Sequence, residues 1–323
     1  MKRMKKMLLL SAVLALSIAL AGCTPAESAY PDKHINLVTY VGAGGGMDVS
    51  CRKFVQVAAK HTDATIVVEN RTGAGGIIAQ DYVLGQPADG YTIYGTTLSN
   101  IATIVSGEHD AGKYIDEFDW ISLLIEDPVS VIITKKQKEA GVTFNSIMEE
   151  AKAMGGRQIW VGPSTGGTKH IDAMKIWEAY GVECVWVPFE SGPLAMNALL
   201  SGQGAAATGN PFDTAGRELW NAAVASEKRL PGFEDTPTFA ELGHPELNKA
   251  AMWRGFAVKK GVPDDVVKWI RDLCQKVTED EEWIQFHSQN GINVVNYDRE
   301  QFRSIIDANV KEIEFFLKKV GLL

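Results

Sequence analysis

Short apolar runs alternate with helix-patterned segments along most of this 323-residue chain, and glycine-rich stretches separate several of the runs from the helices after them. Residues 35–41 read as a strand, and Cys51, Phe54, Val55 and Ala58 then recur at the i, i+3, i+4, i+7 spacing of one helix face. Strands are predicted at 66–68, 91–95, 120–124, 129–134, 159–161, 184–187, 205–208 and 256–258, and helices at 77–84, 144–154, 170–180 and 193–201. Pro263 opens a further helix, and Phe302, Ile305, Ile306, Val310 and Ile313 form the apolar stripe of the last one. Alternation of this kind predicts an α/β fold of doubly wound parallel sheets with helices on both faces. Ligands of such sheets sit at the carboxyl ends of strands, where loops enter helices.

Three strand-to-helix loops are glycine-rich. The first holds Ala43, Gly44, Gly45, Gly46, Met47 and Asp48; the second holds Asn70, Arg71, Gly73, Ala74 and Gly75; the third holds Ser164, Thr165 and Thr168 around Gly166-Gly167. Without a Cβ the backbone amides can close on a ligand, and the helix that follows contributes unpaired N–H groups and a positive dipole end. Together these make an anion site without a charged side chain, for which a carboxylate is the simplest occupant. Asp48 is placed to cap the first helix.

Other chemistries are tested by the same strings. No GxxxxGK[ST] occurs, and GxGxxG fails at Met47 and at Ile78, so nucleotide and cofactor loops are absent. The formal charge of −8 argues against nucleic-acid binding, which needs basic surface to neutralise phosphates. Cys51, Cys184 and Cys274 are widely spaced and form neither a disulfide framework nor a zinc pattern. Gly162-Pro163-Ser164-Thr165-Gly166 matches the GxSxG of a nucleophile elbow, with Asp213 and His244 or His287 available downstream, so a secreted serine hydrolase is the alternative function. Pro163 fits such an elbow poorly, and Gly166-Gly167 delays the helix.

The amino-terminal segment has Lys2, Arg3, Lys5 and Lys6 before an apolar stretch too short to span a membrane, the pattern of a secretory signal. It ends Leu20-Ala21-Gly22-Cys23, which resembles a bacterial lipobox. That resemblance implies a lipoprotein signal peptide over 1–22, lipidation of Cys23 and a polar linker over 23–29. Losing 1–22 removes four basic residues and no acidic one, so the remaining chain is more acidic still.

Tyr30-Pro31-Asp32, Gly44-Gly45-Gly46-Met47-Asp48, Glu69-Asn70-Arg71-Thr72-Gly73-Ala74-Gly75-Gly76, Pro87-Ala88-Asp89-Gly90-Tyr91, Gly166-Gly167-Thr168-Lys169-His170, Val187-Pro188-Phe189, Pro237-Thr238-Phe239 and Trp253-Arg254-Gly255 occur in this order. The set resembles the substrate-binding proteins of tripartite tricarboxylate transporters (the Bug/TctC family). The resemblance implies a type II periplasmic-binding-protein fold, with two α/β lobes joined by a hinge, lobe one over 30–125 plus 253–323 and lobe two over 126–252. It implies no catalysis and no cofactor. A small carboxylate would bind between the lobes, for delivery to the large and small permease subunits of a membrane transporter; a receptor domain that signals to a partner is the further possibility. By the same resemblance the three loops form the ligand site, joined by His170, Phe189 and Asp213. Asp48 either caps its helix or touches ligand, Arg71 is a clamp or a solvated charge, His170 is a contact or a structural residue, and Asp213 takes a ligand ammonium or pairs locally. Phe189 stands where the family has Tyr, and Met47 where it has Thr or Ser, which implies a less polar pocket.

Overall fold

The computed structural model describes residues 30–323 apart from Glu108 and Ala250; the signal, Cys23 and the linker of the sequence reading lie outside the described residues. The chain builds two sheets. The first has strands β1 (Ile35–Thr39), β2 (Ile66–Asn70), β3 (Thr92–Thr97), β4 (Phe118–Pro128), β10 (Ala251–Lys259) and β11 (Asn293–Tyr297), in the order β11-β4-β10-β3-β1-β2. The second has β5 (Ser130–Thr134), β6 (Ile159–Pro163), β7 (Val185–Phe189), β8 (Ala206–Gly209) and β9 (Leu219–Val224), in the order β7-β6-β8-β5-β9. Each sheet is the centre of one lobe.

The expectation of parallel sheets needs correction, because both sheets are mixed. β1, β2 and β3 are parallel neighbours, and so are β6, β7 and β8. β10 is antiparallel to both β3 and β4, β11 to β4, and β5 to both β8 and β9. The reason is the crossing between sheets. β4 leaves the first sheet at Pro128, β5 begins at Ser130 in the second, and β10 returns the chain alongside β4 in the opposite direction.

Helices cover both faces of the first sheet. Side chains alternate along a strand, so Ile35 and Leu37 enter the cluster of Phe54, Ile270 and Trp283, while Val38 faces the opposite one. On the first side lie α1 (Gly46–Ala58), α8 (Asp264–Glu279) and α9 (Glu281–Ser288). On the other lie α2 (Ile77–Leu84), α3 (Leu98–Ser106) and α10 (Arg299–Lys319). The second sheet carries α4 (Lys135–Glu139), α5 (Phe144–Met154), α6 (Thr168–Ala179) and α7 (Gly192–Leu200). α6 and α10 meet between the sheets, where Lys175 pairs with Glu312 at 2.8 Å and Lys319 with Glu178 at 3.5 Å. Cys51, Cys184 and Cys274 are free thiols, the first and last of them buried.

The Trp253-Arg254-Gly255 string sits in the middle of β10. Trp253 is edge-on to Phe302 of α10 and donates its Nε1–H to Asn309 at 2.9 Å. A Cβ at Gly255 would lie 2.6 Å from the Phe302 ring and 2.7 Å from the Ser122 carbonyl oxygen. Backbone cannot yield as a flexible side chain can, so only glycine lets β10 lie this close to β4 and α10. Gly255→Ala is expected to lower unfolding stability by about 2–3 kcal/mol, the upper range of overpacking, read from urea midpoints; a change under about 0.5 kcal/mol would contradict this packing.

Candidate ligand-binding site

The first loop is scaffolded by its own side chains. α1 starts at Gly46 with Gly45 as its N-cap and no side chain capping it, so Asp48 does not serve as the cap the sequence led us to expect. The Asp48 carboxylate turns back instead. It accepts the Gly44 N–H at 2.8 Å, the Arg52 Nε–H at 3.0 Å and the Asn70 Nδ2–H at 2.8 Å. Burial alone would raise this carboxyl, but the bonds from Arg52, Gly44 and Asn70 hold it below the ordinary Asp value. Asn70 also donates to the Val41 carbonyl at 2.9 Å, which ties the loop to β2. Among the described residues the amides of Gly46, Met47 and Asp48 have no protein acceptor.

The second loop is seated on α3. Asn100 donates its Nδ2–H to the Gly75 carbonyl at 2.9 Å. Gly75 has φ +59°, and a Cβ there would meet Thr103 at 2.4 Å, so both its conformation and its neighbour require glycine. Arg71 is held elsewhere: its guanidinium lies 3.3 Å over the Tyr82 ring and pairs with Glu69 at 2.6 Å, while its buried Nε has no partner among the described residues.

The third loop follows β6. Ser164 holds φ +48°, donates its N–H to the Phe189 carbonyl at 3.0 Å and accepts the Trp186 Nε1–H at 3.1 Å on its own carbonyl. The Gly166 N–H is taken by His170 Nδ1 at 3.0 Å, and the His170 ring stacks on Trp186 with centroids 4.7 Å apart. Burial pushes His170 down to about 4, so at neutral pH it is an uncharged acceptor that shapes the loop. α6 starts at Thr168 without a side-chain cap. Lys169, in its first turn, points its Nζ at the Gly209 carbonyl, 3.3 Å away, and lies 3.8 Å from the Asp172 carboxylate.

A cleft of about 570 Å³ opens between the lobes. Ser99, Ala102, Thr103 and Ser106 of α3 form one wall, Pro163 through Lys169 the other, and Leu317 and Leu322 an apolar end. Lys169 is the one charged residue of this lining. The structure thus brings Ser164, Thr165 and Thr168 to the cleft, with Gly75 of loop two against Thr103 at its rim. Ala43, Gly44, Gly45, Gly46, Met47, Asp48, Asn70, Arg71, Gly73, Ala74, Gly75, His170, Phe189 and Asp213 are not in its lining. Phe189 packs against the cluster of Ile132, Val161, Met196 and Leu199, and Asp213 accepts the Asn210 N–H at 2.8 Å.

Sequence reasoning missed Lys169 and the whole of α3 as site elements. Lys169 was in plain view beside Thr168 and His170. α3 had no such sign, because Thr97 ends β3 and at once caps α3, accepting the Ser99 N–H at 3.2 Å, with no loop between them.

The hydrolase alternative fails on geometry. His170 accepts the Gly166 amide, His244 is bound to Glu246 at 2.8 Å, and His287 packs on Trp283 and Phe286, so no described histidine is hydrogen-bonded to Ser164. Two lobes around a cleft furnished with hydroxyls, helix-start amides and one lysine define a solute-binding receptor.

Comparison with known proteins agrees. Residues 51–322 match the tripartite tricarboxylate transporter family receptor, TctC, and the chain belongs to that family, one of binding receptors and not of enzymes. Protein BugT of Bordetella pertussis is 23% identical over 318 residues, covering 97% of each chain. The crystal structure of a TctC solute-binding protein from Polaromonas is 25% identical, with a TM-score of 0.77, covering 90% of this chain and 99% of that one. MatC from Rhodopseudomonas palustris with bound malate shares the fold, at 19% identity and a TM-score of 0.68 over 88% of this chain and 99% of its own.

Two buried histidines give the fold an acid limb. Burial holds His170 near 4 and His287 near 3, and both ring nitrogens of His287 lack a partner among the described residues. The unfolded chain takes up these protons near pH 6.5, so the stability from keeping them neutral is complete above that pH and is lost as pH falls toward the folded values. Unfolding free energy is expected to drop between pH 6.5 and 5, by up to about 1.4 kcal/mol per pH unit per histidine. His287→Leu should make that drop shallower; an unchanged slope would remove His287 from the account.

Proposed function

We propose that this protein is an extracytoplasmic receptor that captures a small carboxylate between its lobes and hands it to the large and small permease subunits of a tripartite tricarboxylate-type transporter. The lobes in this reading are residues 30–125 plus 253–323 and residues 126–252, hinged where β4 and β10 cross between the sheets. The observation that carries it is the charge of the cleft. In a chain of net charge −8, the lining has no acidic residue, one lysine, and the uncapped start of α6. Unspent helix-start amides and a cation in a partly desolvated gap favour an anion, and a carboxylate is the anion they match. That MatC holds malate, a dicarboxylate, on the same fold supports the choice.

The test is a thermal-shift and calorimetric screen with mono- and dicarboxylates. One of them should bind saturably at one site and stabilise the fold by about 2.7 kcal/mol at a hundredfold excess over Kd. Lys169→Gln should weaken that ligand by about tenfold or more, the scale of one charge-assisted hydrogen bond. No stabilisation by any carboxylate would overturn the reading.

We further propose that Cys23 carries a lipid anchor, on the strength of Leu20-Ala21-Gly22-Cys23 at the end of the apolar segment. Among the described residues no helix is long and apolar enough to cross a membrane. Expressed in a lipoprotein-processing bacterium, the wild type should sediment with membranes and Cys23→Ser should not carry lipid by mass spectrometry. An unlipidated mature mass for the wild type would contradict the anchor.

A further inference from the structure

Arg254 stands at the meeting point of the two lobes, with most of its hydrogen-bonding capacity unspent. It lies on β10, opposite Ile125 of β4 and Thr97 of β3. Its side chain is 13% exposed and donates through Nη2 to Asp127 Oδ2 at 3.1 Å. Among the described residues it makes no other hydrogen bond or ion pair, and none of its nitrogens is a buried donor left without a partner. The rest of the guanidinium fork therefore keeps access to the space around it, although Arg254 is not among the residues that line the cleft described above. That space adjoins loop one: a Cβ on Gly46 would lie 3.1 Å from the same Nη2, beside the free amides that start α1.

The second lobe reaches the same place. The Asp127 carboxylate also accepts a hydrogen bond from the Asn210 side chain. The preceding residue, Gly209, presents its carbonyl to Lys169 Nζ. Arg254 and Lys169 thus approach one turn, Gly209-Asn210, from the two lobes, Arg254 by way of Asp127. A purely structural arginine in a buried pair would be expected to spend two N–H groups on its carboxylate; this one spends a single nitrogen on a single oxygen.

We infer that Arg254 is a specificity residue that receives a second carboxylate of the ligand, so that the site selects two-carboxylate ligands over one-carboxylate ligands of equal length. This deepens the carboxylate reading and rests on it. With Lys169 holding one end and the Arg254 fork the other, a ligand spanning the lobes satisfies both cations. A ligand lacking the second group leaves the fork unmatched.

The experiment is calorimetric titration with succinate against butyrate, and adipate against hexanoate. The proteins are wild type, Arg254→Lys, and the double variant Arg254→Gln/Asp127→Asn, which removes both charges of the pair and leaves no lone buried ion. Wild type should prefer the dicarboxylate of at least one pair. The double variant should lose about thirtyfold or more for that dicarboxylate and no more than about threefold for its one-carboxylate partner, a differential of the size expected for a charged hydrogen-bonded contact. Arg254→Lys, which keeps the charge but not the fork, should fall between and gives the same comparison if the double variant does not fold. Equal losses for both ligands, or no loss for either, would overturn the assignment while leaving the carboxylate reading standing. Failure of the wild type to bind any carboxylate would bring down both.

Discussion

β4 and β10 run against each other from Phe118–Lys259 to Pro128–Ala251, and the chain's crossings between the two sheets begin and end in them. Two sheets connected this way cannot be wholly parallel, because the strand that returns must oppose the strand that left. The closeness of the pair depends on Gly255, where a side chain would strike Ser122 and Phe302. With that approach made, Trp253 is set on α10 and Arg254 is set beside the start of α1. One short string thus fixes the packing of the carboxyl-terminal helix and places a cation where the lobes meet.

The carboxylate site proposed above faces an electrostatic problem particular to this composition. An acidic chain offers an anionic ligand no long-range attraction, so attraction has to be made locally. In this proposal it is made by backbone. The starts of α1 and α6 lack side-chain caps, while Asp48, Asn70 and His170 use their polar atoms to hold the loops in shape. Side chains that looked available for a ligand serve as scaffold, and the first amides of both helices are left without protein acceptors, those of α6 at the cleft and those of α1 outside its lining. Fixed amides cost no reorganisation when an anion arrives, and in a partly desolvated gap they act more strongly than in water.

Much of this was legible in the sequence, for definite reasons. Helical periodicity located α5 at its observed bounds, Phe144–Met154, because Thr143 begins it and Gly155 ends it in the left-handed conformation. The three glycine loops do lie between strands and helices. α3 was not legible, since it follows β3 without a break, and neither were β9, a mostly apolar and buried run without alternation, and β11, where Asn293 and Asn296 interrupt the apolar pattern. At the site, residue type alone could not separate scaffold from contact. Asp48 and Arg71 are both charged loop residues, yet one is buried under three donors and the other lies over Tyr82. Lys169 and Arg254 stood within the strings that carried the family resemblance, but only the tertiary structure links both to the turn Gly209-Asn210, Lys169 directly and Arg254 through Asp127.

The claim at the centre of this account is that backbone amides from both lobes converge on one anionic ligand. Amide hydrogen exchange, with and without a saturating dicarboxylate, tests it most directly. Slowed exchange at 46–48 and 74–75 in one lobe together with 165–169 in the other is the predicted result. Protection confined to a single lobe, or spread away from these helix starts, would contradict it.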